Sequence, residues 1–362
     1  MILFTHPHLP SSLREAEGQG EDAVGGWNAP GRVGRMLRRH VGMTILAAAL
    51  AGAAGAFAPA EAATKLESAY TAISGVFGGQ WVALEGGYFA RHGLDVSLSY
   101  VASSTRMAQA MVAGEQPIAV MGGEAAMHAA LGGGDLVFVA GVLNRPLFFM
   151  VVTPDIQRPD DLRGKTLGVS LLGASSDFAT RLALRHWGLE PIRDVGIVQI
   201  GGIPEILSAM RAGTVKGGAL SPPTNLRARR EGFRELVYTA DLGFFPHDAI
   251  VTTRSFLRKN EEVVRAYLMA YAEGVHRYKT DRAYAIEVLR RYTKVSDPEL
   301  LEQTHALTSA PLEEALHLEP KALQAVLDFS THPKAKTAKP EDFMDLHILR
   351  ELERSGFFKT LR

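Results

Sequence analysis

A short serine-rich segment at residues 172–177 has the residue types and spacing of a ligand-binding helix start. Its sequence, Leu-Gly-Ala-Ser-Ser-Asp, lies between a predicted strand and a predicted helix. The free backbone amides and the positive dipole end of such a helix can receive an anionic or polar group. Serine also caps helices that bind no ligand, so two interpretations of Ser175 and Ser176 stay open: ligand contact and helix capping.

The turn after the first predicted strand offers a second set of polar groups. Three glycines between residues 75 and 79 let backbone amides approach a ligand, while Ser74 and Gln80 can form hydrogen bonds with it. Trp81 can stack on a planar ligand. A tryptophan at the start of an amphipathic helix is about as often buried in the core, and this alternative also stays open.

Similar polar turns follow other predicted strands, at residues 101–105, 121–124, 143–146, 201–204 and 221–224. They add Gly123, Glu124, Asn144, Arg145 and Ser221 to the candidate ligand-binding residues. In open α/β sheets ligands bind beyond the carboxyl ends of the strands, so the repetition of these turns predicts a binding cleft. The planar guanidinium of Arg145 suits a carboxylate or sulfonate, although the same side chain can instead be a solvent-exposed loop charge.

The chain carries no recognisable catalytic or metal-binding motif. Glu124 and His128 are four residues apart on one predicted helix, but no companion ligand accompanies them, so no metal site is predicted. The sequence has no Gly-x-Ser-x-Gly elbow, phosphate-binding loop or His-Glu-x-x-His motif. We therefore expect a binding protein rather than an enzyme, and no cofactor.

Composition excludes several classes of partner. The 362 residues include 39 Lys plus Arg and 39 Asp plus Glu, so the formal charge is zero and nucleic acid is not an expected partner. The absence of cysteine excludes disulfides, thiolate metal sites and a lipid anchor on cysteine.

Alternating short strands and helices position these residues, which is the pattern of a mostly parallel sheet covered by helices. Predicted strands cover residues 66–72, 94–101, 117–121, 136–141, 148–153, 167–170, 196–200, 217–220, 235–239 and 249–253. Predicted helices between them cover residues 80–92, 105–113, 124–131, 176–187, 204–211 and 223–231, and the chain beyond residue 254 is almost wholly helical. We expect two α/β lobes joined by a hinge: residues 63–152 and 250–362 in the first, with the C-terminal helices, and residues 153–249 in the second.

The amino terminus has the pattern of an export signal. Residues 1–35 have no sustained apolar period and are expected to be a non-native or disordered extension. Basic residues then precede an apolar run at 41–57, and Ala60-Glu61-Ala62 supplies the small residues of a cleavage site. A membrane anchor needs about 20 apolar residues, and this run is shorter and broken by glycine. We expect a signal peptide at 36–62, cleavage after Ala62 and a periplasmic product without a lipid anchor.

Several segments of the chain occur in a characteristic order. They are Gln80-Trp81, residues 85–96, 112–115 and 160–165, and the turns at 173–177 and 221–223. Together they resemble the periplasmic substrate-binding proteins of the nitrate, sulfonate and taurine transporter class. The resemblance covers most of the chain that follows the signal segment.

The resemblance implies a periplasmic binding protein fold of type II. Each lobe would be a mixed, mostly parallel sheet flanked by helices, with a C-terminal helical block on the first lobe. A protein of this class is expected to be a monomer that closes on a small-molecule ligand and presents it to an ABC permease with its ATPase. The cleft positions carried over from the family are Ser74, Gln80, Trp81, Gly123, Asn144, Ser175, Ser176 and Ser221.

Glu124 departs from the family pattern, because many relatives have a small residue or proline at this turn. A carboxylate here disfavours simple inorganic anions, so we expect an organic solute, either anionic or heteroaromatic.

Two alternative functions stay open. One is an enzyme of pyrimidine or menaquinone-precursor metabolism with Glu124 and His128 as acid and base, which the export signal and the missing cysteine motif disfavour. The other is a sensory module that docks on a membrane receptor.

Overall fold

The computed structural model describes residues 62–361, whose β-strands form two five-stranded sheets. The strands are β1 (Thr64–Tyr70), β2 (Leu94–Tyr100), β3 (Ile118–Met121), β4 (Leu136–Leu143), β5 (Phe149–Val152), β6 (Thr166–Val169), β7 (Gly196–Gln199), β8 (Gly217–Leu220), β9 (Arg234–Tyr238) and β10 (Asp248–Thr253). The first sheet has the order β2-β1-β3-β10-β4 and the second the order β7-β6-β8-β5-β9. In each sheet the fourth strand, β10 or β5, runs antiparallel to both neighbours. We call the first sheet with its helices lobe 1 and the second sheet with its helices lobe 2.

Helices follow or separate these strands. They are α1 (Gly78–Glu85), α2 (Tyr88–Arg91), α3 (Ser104–Val112), α4 (Gly123–Leu131), α5 (Ser175–His186), α6 (Ile203–Arg211), α7 (Thr224–Arg230), α8 (Arg254–Lys259), α9 (Glu261–Thr280), α10 (Arg282–Thr293), α11 (Pro298–Ser309), α12 (Pro320–Phe329) and α13 (His347–Arg354). Short 3₁₀ turns occur at Gly75–Phe77, Pro159–Leu162, Thr239–Leu242, Pro333–Lys336, Pro340–Phe343 and Phe357–Thr360. The predicted fold class, mixed sheets flanked by helices, is confirmed.

The two outer strands of the first sheet differ in burial. β4 reads Leu-Val-Phe-Val-Ala-Gly-Val-Leu and is buried along its whole length, because the C-terminal segment covers it and bonds to its backbone at Gly141 and Val142. β2 lies at the opposite edge, and there Leu94 and Val96 are buried while Asp95 and Ser97 are exposed. Apolar side chains therefore define the core of lobe 1 on both faces of its sheet.

The position of the first crossing between the lobes differs from the prediction. We expected the chain to cross after Val152, but β5 pairs with β8 and β9 of the second sheet. The crossing therefore lies between Leu143 and Phe149. The physical reason is that an apolar strand is buried equally well in either sheet, so its composition does not identify its neighbours. The expected limits of the two lobes otherwise stay a prediction.

The predicted helix over residues 80–92 is two helices. Helix α1 ends at Glu85 and α2 begins at Tyr88, because Gly87 adopts a left-handed backbone conformation with φ of 70°. Glycine takes this conformation without the steric cost that other residues incur. The Gly86-Gly87 pair thus turns the chain before β2.

The C-terminal helices pack mainly on lobe 1. Helix α9 lies against α1, and a Cβ atom added to Gly274 would overlap the carbonyl oxygen of Gly79 and lie 2.6 Å from the Cβ of Ala83. The block also contacts lobe 2, where Arg230 of α7 pairs with Glu299 of α11 at 2.6 Å. The C-terminal block thus contacts both lobes.

Within residues 62–361, none of the helices combines the length and the apolar character needed to cross a membrane. The predicted extension at 1–35 and residues 36–61 of the predicted signal peptide lie outside the described residues.

We expect Gly274→Ala to lower the free energy of unfolding by about 1–3 kcal/mol, because the added methyl group forces α9 away from α1. Urea denaturation measures this change. The control is Glu262→Ala on the same helix, whose side chain is 85% exposed; it should change the unfolding free energy little. Equal stability of the two variants would contradict the close helix contact.

Candidate functional site

Turn residues of the two lobes contact each other directly. The Ser74 hydroxyl, after β1, donates a hydrogen bond to the carbonyl oxygen of Pro222, after β8, at 3.0 Å. The backbone N–H of Gly75 donates to the same oxygen at 3.0 Å. Nearby, Thr105 of α3 donates to the carbonyl oxygen of Leu172 at 3.2 Å. The turns that follow the strands thus lie against each other across the cleft.

Glu124 forms the charged part of this contact. It lies in the first turn of α4, is 1% exposed, and accepts a hydrogen bond from Ser104 of its own lobe at 2.6 Å. Ser175 of lobe 2 donates to Oε1 of Glu124 at 3.0 Å and lies 3.1 Å from Oε2. Ser175 is the first residue of α5, so the Glu124 carboxyl group lies at the positive end of that helix. A side chain of the protein therefore occupies the place where the sequence predicted a ligand.

We call these contacts the interlobe junction. It consists of Ser74, Thr105 and Glu124 of lobe 1 with Leu172, Ser175 and Pro222 of lobe 2. Gly122 permits the close approach, because a Cβ atom at this position would overlap the Ser175 hydroxyl and lie 2.7 Å from Oε1 of Glu124. The closed arrangement of the two turns requires glycine at residue 122.

Burial raises the pKa of Glu124 to about 7, although the hydrogen bonds from Ser104 and Ser175 oppose the shift. Burial disfavours the charged form of a carboxyl group, and hydrogen bonds donated to it favour that form. At the interlobe junction the cost of burial is the larger effect.

Asp248 is a second buried acid near Glu124. Burial raises its pKa well above the ordinary value, and the Glu124 carboxyl group raises it further. Its Oδ2 atom has no hydrogen-bond partner and lies 3.7 Å from Nε2 of His247. The His247 Nδ1 atom accepts the N–H of Leu147 at 2.9 Å, and burial lowers the pKa of His247 to about 3. His247 is therefore neutral near pH 7 and gives Asp248 no counter-charge.

Ser176 and Asp177 form hydrogen bonds inside lobe 2. The Ser176 hydroxyl accepts the backbone N–H of Ser170 at 2.9 Å. Asp177 accepts the N–H of Gly173 at 2.9 Å and pairs with Arg181 at 2.7 Å. In this conformation Ser176 holds the turn before α5, whereas the Ser175 side chain reaches across to lobe 1.

Gln80 and Trp81 lie in the core of lobe 1 rather than at the junction. The Gln80 side-chain amide donates to the Tyr267 hydroxyl at 3.0 Å. Trp81 is fully buried and stacks on Tyr292 with ring centroids 4.6 Å apart. Core packing, one of the two interpretations of Trp81, describes its contacts here.

Asn144 and Arg145 hold the crossing segment in place. The Asn144 amide donates to the carbonyl oxygen of His317 at 2.8 Å, which connects the segment to the C-terminal block. Arg145 donates to the carbonyl oxygen of Ala240 at 3.1 Å. Neither side chain belongs to the interlobe junction.

Gly123 and Ser221 border the junction. The Gly123 N–H donates to the carbonyl oxygen of Pro246 at 2.8 Å, and a Cβ atom on Gly123 would lie 2.6 Å from the Cβ of Pro246. Ser221 is 1% exposed and directly precedes Pro222. Both therefore lie next to the contacts between the lobes.

A groove of about 460 Å³ runs beside the interlobe junction. Glu124 and His128 line it from α4, Phe178 lines it from α5, and Phe329 lines it at the end of α12. The rings of Phe178 and Phe329 lie 4.7 Å apart between centroids. Among residues 62–361, no three acidic or histidine side chains are placed to hold a metal ion.

Ser104 and Asp248 were missed by the sequence reasoning. Ser104 lies in the predicted turn at 101–105 but has no feature that distinguishes it from the adjacent serine. Asp248 is the first residue of β10 and directly precedes an apolar run, and an acid next to a buried run is a usable signal of a functional position.

Two α/β lobes with these strand orders, linked by two crossings and meeting through turns at the carboxyl ends of their strands, define a periplasmic binding protein fold. The family model described as NMT1/THI5 like matches residues 75–281, more than half of the chain. The chain belongs to this family, which confirms the resemblance inferred from the sequence.

Individual relatives are distant. YtlA of Bacillus subtilis, which is named as a binding protein, is 23% identical over 284 residues, covering 75% of this chain and 84% of YtlA. The alkanesulfonate-binding protein SsuA of Xanthomonas axonopodis pv. citri, solved with MOPS bound, has a TM-score of 0.64 at 20% identity, covering 75% of this chain and 93% of SsuA. A zinc-bound ligand-binding component of an ABC-type import system from Staphylococcus aureus has a TM-score of 0.65 at 14% identity, covering 80% of this chain and 98% of that chain.

We expect Glu124→Gln to change how stability depends on pH. The folded protein holds the Glu124 proton up to a pKa of about 7, against an ordinary value of 4.5. The stabilisation that this bound proton gives the folded state is therefore fully present below pH 4.5 and is lost as pH rises through about 7. Between pH 5 and pH 8 the variant should gain up to roughly 3 kcal/mol of unfolding free energy relative to the original protein. Urea denaturation across this pH range is the measurement.

The matched control is Glu262→Gln, which also changes an acid in the first turn of a helix but one that is 85% exposed. Its pH profile should follow that of the original protein. If the Glu124 variant follows the same profile, the buried carboxyl group does not titrate as described.

Ser175→Ala and Ser176→Ala should distinguish the contact between the lobes, which Ser175 forms, from the hydrogen bond inside lobe 2, which Ser176 forms. Ser176→Ala leaves the buried N–H of Ser170 without a partner, so unfolding free energy should fall by about 1–3 kcal/mol. Ser175→Ala should cost less than about 1 kcal/mol, since Glu124 keeps its bond from Ser104 and can regain water when the lobes separate. Thermal and urea denaturation check both values, and an equal loss in the two variants would contradict this division.

Proposed function

We propose that this protein is the extracytoplasmic solute-binding component of an ABC importer. It binds a small organic solute between its lobes as a monomer in the periplasm and delivers it to an inner-membrane permease with its ATPase. Membership of the NMT1/THI5-like family supports this function. One structural neighbour is itself described as the ligand-binding component of an ABC-type import system.

The observation that carries the proposal is the pairing of turns from both lobes. Ser74 meets Pro222, and Glu124 meets Ser175, in each case through turns at the carboxyl ends of strands. Two chain crossings allow the lobes to hinge, and closure around a ligand removes it from water. A binding protein needs these two properties, whereas an enzyme would need reacting groups in addition.

The proposed ligand contacts are those at or next to the interlobe junction: Ser74, Gly123, Glu124, Ser175 and Ser221. Gln80, Trp81, Asn144, Arg145 and Ser176 stay predicted binding residues. Their observed contacts lie within one lobe or along the crossing segment, so we assign them a supporting part. An acid at the junction favours an organic solute over a simple inorganic anion.

Gly122→Ala is expected to hold the lobes apart, because the added methyl group overlaps the Ser175 hydroxyl in the closed form. Small-angle X-ray scattering should give a larger radius of gyration. Calorimetric titration of a panel of organic acids, sulfonates, amines and nitrogen heterocycles should identify a ligand of the original protein. The variant should bind that ligand at least about tenfold more weakly, or roughly 1.4 kcal/mol.

Gly132→Ala is the control, because a Cβ atom there meets no atom closer than 3.3 Å. It should keep both the radius of gyration and the affinity of the original protein. Absence of binding across the whole panel, together with turnover of one of its compounds, would overturn the transport proposal in favour of an enzyme.

A further inference from the structure

The buried acids at and near the interlobe junction indicate which class of solute the protein binds, given the binding function proposed above. We infer that the site beside the junction takes an organic cation instead of the anionic solute expected from the sequence. The nitrogen-borne positive charge of this cation pairs with Glu124 while its apolar body lies in the adjoining groove.

The first argument is occupancy of the helix end. The amino terminus of α5 attracts negative charge, and Glu124 already lies there through its hydrogen bonds with Ser175. A ligand anion at the same place would bring a second negative charge against a buried carboxyl group. Two negative charges in direct contact repel each other strongly where water is excluded, because the local dielectric constant is low.

The second argument is the missing counter-charge. Asp248 is 3% exposed, has one carboxyl oxygen without a hydrogen-bond partner, and lies close enough to Glu124 for their charges to interact. Among residues 62–361, no lysine or arginine is buried as these acids are. Buried carboxyl groups are normally paired with a cation or kept neutral. A bound cation would supply the pairing that the chain itself lacks.

The third argument is space. The groove of about 460 Å³ is lined by Glu124 and by the rings of Phe178 and Phe329. This volume falls in the usual range for small-molecule sites, and aromatic faces attract cations and planar bodies alike. The two arginines of the groove are accounted for: Arg181 pairs with Asp177 at 2.7 Å, and Arg185 lies 4.3 Å above the Phe329 ring and is exposed.

Protonation should oppose binding of such a cation. Burial raises the pKa of Glu124 to about 7, so at pH 6 the carboxyl group must lose a proton before it can pair with a positive charge. Affinity for a cation should therefore rise from pH 6 to pH 8, with a proton released on binding at the lower pH. The other charged or titratable groups around the groove and junction are His128, Asp177, Arg181, Arg185, His247, Asp248 and His332.

The experiment uses pairs of ions with the same shape and opposite charge. Guanidinium and nitrate, acetamidinium and acetate, and benzamidinium and benzoate are each titrated into the full-length mature protein by calorimetry at pH 6 and pH 8. We expect binding of at least one cation, at least tenfold tighter than its paired anion and tighter at pH 8. Titration at pH 6 in phosphate and in ACES, which both buffer near this pH but differ in heat of ionisation, should show the released proton as a difference in heat.

Glu124→Gln should lose at least tenfold in affinity for the bound cation and should no longer depend on pH over this range. Phe329→Leu is a second variant, which tests the groove if the first is poorly folded; it should also weaken binding, because it removes an aromatic face of the groove. Glu262→Gln, an exposed first-turn acid, is the matched control and should bind as the original protein does.

The outcomes of the titration distinguish a wrong ligand class from a wrong transport proposal. Binding of an anion in preference to its paired cation overturns the cation class and leaves the transport proposal in place. Binding of neither member of any pair overturns the inference as well, and the broader panel then decides separately whether the protein binds a solute at all.

Discussion

Burying the carboxyl group of Glu124 costs free energy, and hydrogen bonds from Ser104 of lobe 1 and Ser175 of lobe 2 offset part of that cost. The two serines belong to different lobes, so the most favourable surroundings for this acid exist in one relative arrangement of the lobes. Gly122 must stay small for the same reason, since any side chain there would occupy the space of the Ser175 hydroxyl. The Glu124 side chain thus connects the start of α4 with the start of α5, and its surroundings depend on how far the lobes are apart.

The contact of Ser74 and Gly75 with Pro222 has a different character. Ser74 and Gly75 donate to a carbonyl oxygen of Pro222, and none of these groups changes its charge with pH. One half of the interlobe junction therefore depends on protonation and on the charge of a ligand, and the other half does not. The neutral contact can align the turns while the charged contact responds to what enters the cleft. Charged partners also gain more from the exclusion of water than neutral ones do, because the electrostatic interaction strengthens in a low dielectric.

Much of the fold could be predicted because each element has a local signal. β4 is a continuous apolar run, α6 has a proline in its first turn, and both occur close to the predicted limits. The assignment of β5 to a sheet failed because pairing is a long-range property that an apolar tetrapeptide does not encode.

At the site, Ser175 and Glu124 were each identified from the turn in which they lie. Their mutual hydrogen bond could not be predicted, since it depends on how two lobes close. Gln80 and Trp81 were predicted as ligand contacts but lie in the core of lobe 1. The sequence does not show whether a polar or aromatic residue near a predicted cleft points into the cleft or into the core.

The antiparallel strand in each sheet has a consequence for the order in which the chain can fold. All strands of the second sheet lie between Phe149 and Tyr238, so lobe 2 is a continuous stretch of chain. The first sheet needs Asp248–Thr253 to fill the gap between β3 and β4, which emerge from the ribosome more than a hundred residues earlier. Until β10 arrives, β3 and β4 have unpaired edges inside the future core of lobe 1, where other extended chains can pair with them. The lobe that is encoded first is therefore the lobe completed last, and it is the part of the nascent protein that most needs protection from aggregation.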